Sequence, residues 1–66
     1  MEPKYANVKV RLAGEDGNAF VILGKVTKAM KNAGIAQEEI DAFREEATAG
    51  DYDHLLQTCL AWVDVE

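Results

Sequence analysis

Asn7-Val8-Lys9-Val10-Arg11-Leu12 alternates without a break: Val8, Val10 and Leu12 fall on one side, Asn7, Lys9 and Arg11 on the other. That period of two predicts a half-buried strand. The far end of the chain, Trp62-Val63-Asp64-Val65-Glu66, repeats the pattern, with Val63 and Val65 inward and Asp64 and Glu66 outward. Pairing the two would set Lys9 and Arg11 against Asp64 and Glu66 on the wet face. The charges themselves supply a reason for the two ends to meet.

Three helices fit between these strands. Ala13-Gly14-Glu15-Asp16-Gly17-Asn18 reads as a turn, and Asn18 stands where an N-cap belongs. The first helix is predicted over 19–33, with Ala19, Ile22, Leu23, Val26, Ala29, Met30 and Ala33 at helical spacing and Phe20 widening the stripe. Gly34 closes it as a left-handed C′ residue, after Lys31 in the last turn. Gly24, inside this helix, costs ~1 kcal/mol relative to alanine. It marks the close approach of another backbone or of a ligand.

The second helix is predicted over 37–49, with Glu38 and Glu39 at the positive end of its dipole, Ile40, Phe43 and Ala47 inward, and Gly50 as a matching C′ stop. Asp51 or Asp53 caps a third helix through Leu55, Leu56, Cys59 and Leu60. The reading is one α+β domain over 1–66: a β-α-α-α-β order, its two terminal strands paired and covered by three short helices. A two-stranded sheet is marginal in water and has two open edges. With so thin a core, self-association into a homo-oligomer is the physical expectation.

The chain has 66 residues, 48% of them hydrophobic, and a formal charge of −5. That charge is uneven. Up to Lys31 six cations face three acids, which is +3; from Asn32 onward Arg44 faces nine acids, which is −8. Net acidity argues against DNA as a partner. The longest apolar run, Ala19 to Leu23, is far short of a membrane span, and the first residues show no signal-peptide pattern. One cysteine rules out an internal disulfide framework.

Enzymatic chemistry finds few candidates. Serine does not occur, Cys59 lies on an apolar helical stripe, and His54 follows Asp53 at a helix start. Asp51, Asp53 and His54 match no dedicated metal spacing, and capping accounts for the aspartates. No catalytic residue, metal or cofactor is expected, and an enzyme is not.

The stronger candidate is a binding site. The helix start at Gly17 and Asn18 can meet a phosphate, with Arg11 or Lys25 as counter-charge and Tyr52 or Trp62 stacking on the ligand. The bland alternative is a capped helix with a solvated lysine face. A pocket for a nucleotide-sized ligand runs from about 300 to 1,000 Å³, so such a site is expected between subunits. A different reading uses Glu38, Glu39, Asp41, Glu45 and Glu46, five acids in nine residues, as a face that docks on a basic host protein.

The stretch from Val8 through Gly14-Glu15-Asp16-Gly17-Asn18-Ala19-Phe20, with Gly50-Asp51-Tyr52-Asp53-His54-Leu55-Leu56 and the ending Trp62-Val63-Asp64-Val65, resembles a family of very short phage and prophage proteins. The resemblance covers nearly the whole chain. It implies a cytoplasmic accessory protein of a bacterial host cell. Small phage proteins of this kind often counter host defence, by sequestering nucleotide signals at oligomer interfaces or by blocking a defence protein. A phage structural or assembly part is the remaining alternative.

Overall fold

The computed structural model describes residues 2–12 and 18–66. The turn expected over 13–17, and with it the Gly17 part of the phosphate site, lies outside the described residues. Strand β1 (Tyr5–Val10) is followed by α1 (Ala19–Asn32), α2 (Gln37–Ala47), α3 (Tyr52–Trp62) and strand β2 (Val63–Val65). The β-α-α-α-β order and the pairing of the terminal strands are as the alternation predicts.

The strands run parallel, with Lys9 opposite Asp64 and Val10 opposite Val65. Three helices in the connection make that direction feasible, since a parallel pair needs a long crossover. Backbone bonds extend the pairing past both ends: Lys4 N–H to the Ala61 carbonyl at 2.9 Å, and Glu66 N–H to the Val10 carbonyl at 2.8 Å. The register is irregular between Tyr5 and Lys9. β1 thus begins two residues earlier than the strict alternation indicates. Trp62 is the last residue of α3 rather than the first of the strand.

Caps explain where the helices stop and start. The Asn18 side chain accepts from the Phe20 N–H at 2.8 Å, and Gly34 ends α1 with φ +83°. α2 ends two residues short of the predicted 49. The Thr48 hydroxyl folds back to donate to the Arg44 carbonyl at 2.7 Å, so the last turn closes on itself. Gly50 does not take the left-handed C′ conformation; among the described residues Gly34 alone has positive φ. Of the two candidate caps for α3, Asp51 serves, accepting from the His54 N–H at 2.9 Å.

Every element contributes to one core. Val8 and Val10 of β1, Ile22, Val26 and Met30 of α1, Phe43 of α2, Cys59 and Trp62 of α3 and Val63 of β2 are all buried. Burial pushes the Cys59 thiol up to about 11, so it behaves as a small apolar side chain. Two expected core members are on the surface instead: Phe20 is 84% exposed and Leu60 52%. Each lies at the margin of its helical stripe, where spacing alone does not separate core from rim. No helix among the described residues is long and apolar enough to cross a membrane.

Candidate functional site

α1 and α2 lie side by side, and their seam carries the two stretches singled out in the sequence. At its upper end Ala19, Phe20 and Leu23 of α1 meet Ala47 and Thr48, and beside them Asp51, Tyr52 and Leu55 of the α3 start. Together they line a cleft of about 230 Å³. The glycine-turn helix and the Gly50–His54 stretch, 30 residues apart in sequence, therefore share one concavity. Its aromatic walls are Phe20 and Tyr52, the latter 41% exposed.

Further down the seam Thr27, Lys28 and Lys31 of α1 face Gln37, Ile40 and Arg44 of α2 across a groove of about 220 Å³. On the other flank of α1, Lys25, Lys28 and Ala29 face Lys9, Val10 and Arg11 across one of about 280 Å³. Lys28 belongs to both. Every cation of the chain except Lys4 lines one of these two grooves. Neither lining includes an aspartate or glutamate among the described residues. In a chain of net charge −5, six of the seven cations thus line two adjoining grooves that share Lys28.

The proposed ligand residues divide between these places. Arg11 and Lys25 are neighbours, with Lys25 Nζ donating to the Arg11 carbonyl at 3.1 Å. Asn18 is used as the α1 cap. Tyr52 lies in the apolar cleft, away from that pair. Trp62 does not join them. It is only 9% exposed, edge-on to Phe43 at 5.7 Å and tilted against Tyr5 at 6.1 Å. Its indole N–H donates to the Glu46 carboxylate, and Lys4 Nζ stands 4.5 Å from its ring centre. Trp62 belongs to the core, where packing and a cation–π contact occupy its faces.

The acids of α2 divide as well. Successive residues turn by 100°, so the buried seam of Ile40, Phe43 and Ala47 has two flanks. Glu39 and Glu46 share one flank and bond inward: Glu39 Oε1 accepts from Lys4 Nζ and from the Tyr5 hydroxyl, both at 2.6 Å. Arg44 stands on the opposite flank, facing the α1 lysines. Only Glu38, Asp41 and Glu45 point outward, and Asp41 accepts from the Gln37 side chain at 2.9 Å. The five acids do not form one face.

Sequence reasoning missed Phe20, Lys31 and Arg44 as surface groups of one seam. The spacing of Lys25, Lys28 and Lys31, every third residue of a helix, was the available signal. The sequence also marks Gly24 as a point of close approach by another backbone or by a ligand; a methyl group there meets no atom within 4 Å, so backbone packing within the protein does not explain it.

Comparison with protein-family models, with curated proteins and with solved structures returned no match. Function is therefore argued from the geometry of these surfaces.

Proposed function

We propose that the protein is a non-enzymatic, homo-oligomeric binder that sequesters a phosphorylated, nucleotide-like small molecule. One observation carries this reading: six cations line two adjoining grooves that meet at Lys28, with no carboxylate among the described residues of either lining. Concentrating like charge on one face of an acidic protein raises its local potential toward anions while the net charge keeps it soluble. The helix start at Asn18 plays a smaller part than the sequence suggests, since the cap already takes one of its amides.

Self-association supports the same reading. The aromatic cleft, at about 230 Å³, is below the size that encloses a small molecule on its own. Leu56 and Leu60, one turn apart on α3, line an apolar groove with Leu12 and Val65. Apolar strips of this kind on a small surface mark contact with another chain. The setting we propose is the one the phage resemblance implies, a nucleotide signal held out of reach of a host defence system. Docking of Glu38, Asp41 and Glu45 on a basic host protein is the second reading, but the loss of Glu39 and Glu46 to internal bonds weakens it.

Calorimetry against a panel of cyclic and linear nucleotides tests the proposal. At least one should bind saturably, with affinity that falls as salt rises and drops on K28E. Silence across the panel at protein concentrations well above micromolar overturns it. Native mass spectrometry of protein purified from its own host reports subunit number and any retained ligand together.

A further inference from the structure

Nothing inside the protein calls for glycine at position 24. It lies mid-helix in α1, where glycine is destabilising. Its φ is not in the left-handed region, and a side chain there would meet open space. Glycine at this position leaves a notch of bare helix backbone. The notch lies on the outward face of α1, opposite the buried Ile22, Val26 and Met30: Phe20, Gly24, Thr27 and Lys31 recur at i, i+4, i+7 and i+11, one stripe of the helix. That stripe begins in the aromatic cleft and ends in the basic groove of the seam.

Resting on the phosphate-binding reading above, we infer that the ligand is a nucleotide laid lengthwise along this stripe. Its base lies against Phe20 and Tyr52, its sugar crosses the bare backbone at Gly24, and its phosphates reach Lys28, Lys31 and Arg44. Phe20 is 84% exposed, a costly position for a large apolar ring that stacking on a base would cover. From Phe20 to Lys28 is about 12 Å along the helix axis. Helical side chains lean toward the N-terminus, so Lys28, one turn beyond Gly24, leans back toward it, while Lys31 lies a further turn along the groove. The Thr27 hydroxyl is turned onto the Gly24 carbonyl at 3.1 Å and leaves the notch open. Aromatic wall, bare backbone and cations thus occur in the order in which a nucleotide carries base, sugar and phosphate.

The test compares ADP and inorganic pyrophosphate by calorimetry on the full chain and on G24A, G24L and F20A. G24A should raise the melting temperature by roughly 4–8 °C, because alanine favours the helix and clashes with nothing. G24L should weaken ADP tenfold or more while pyrophosphate changes less than threefold. F20A should weaken ADP by about tenfold, the loss of one stacked base, and leave pyrophosphate alone. Equal affinity for the two probes, or ADP binding unchanged in G24L, overturns the lengthwise pose while leaving the phosphate reading intact. No binding of ADP to the unaltered protein overturns the lengthwise pose, and silence across the whole nucleotide panel overturns the phosphate reading with it.

Discussion

A methyl group at position 50 would stand 2.8 Å from the Cβ of His54. Gly50 is needed because the first turn of α3 comes down on it, and not because of its backbone angles. His54 is fixed there from two sides: its N–H bonds to the Asp51 carboxylate, and its Nε2 lies 2.8 Å from the Glu46 carbonyl at the end of α2. The α2–α3 turn is therefore tight by contact. G50A should cost about 1–3 kcal/mol in urea unfolding through overpacking. In a double-mutant cycle H54G should recover at least half of that loss. Strictly additive effects would contradict the contact.

Acid should weaken the fold through Glu39. The Lys4 ammonium first, and the Tyr5 hydroxyl second, hold its carboxyl below the usual value of 4.5. A carboxyl whose pKa is depressed on folding contributes stability that is fully present above its ordinary pKa. That contribution is lost as pH falls through the folded value. Lys4 and Tyr5 are shifted upward, chiefly by the same bonds to Glu39, from 10.5 and 10.0. Their share is present below those values and disappears as pH rises beyond them. E39Q should flatten the melting-temperature profile below pH 4.5, and an unaltered acid slope would place its origin elsewhere.

Charge reversals along α2 should separate its acids into two groups. E38K, D41K and E45K each change stability by no more than about 0.5 kcal/mol, as for exposed positions without engaged partners in the core. E46A leaves the indole N–H of Trp62 without its acceptor and should cost about 1–2 kcal/mol. The single tryptophan of the chain makes the change visible as a shift in fluorescence. Uniform effects across all four positions would contradict the division.

Much of this fold can be read from residue order, and the places where it cannot have physical causes. The alternation of Val8 and Val10 with Lys9, and of Val63 with Asp64, fixes both strands and their facing charges. Asn18 and Gly34 mark the ends of α1 because a short side-chain acceptor suits an N-cap and glycine a left-handed turn, whereas Asp51 and Asp53 stand equal in sequence and only the bond from the His54 N–H selects Asp51. Gly50 looks the same as Gly34 in sequence, yet one meets a neighbouring side chain and the other a left-handed turn. Only tertiary contact tells them apart. Trp62 reads in sequence as a strand residue able to stack on a ligand, and the approach of Phe43, Tyr5 and Lys4 places it in the core instead. The basic face is assembled from β1, α1 and α2, so no local motif contains it. The Lys25-Lys28-Lys31 spacing shows one helix face, while Lys9, Arg11 and Arg44 join it only through packing.

The most direct test of the binding surface is an amide chemical-shift titration of the protein with ADP. Saturable shifts should concentrate along one stripe, from Phe20 through Gly24 and Lys28 to Lys31, and across to Arg44, with the outward acids Glu38 and Glu45 unmoved. Shifts confined to the α2 acids, or none at millimolar ADP, would contradict the account.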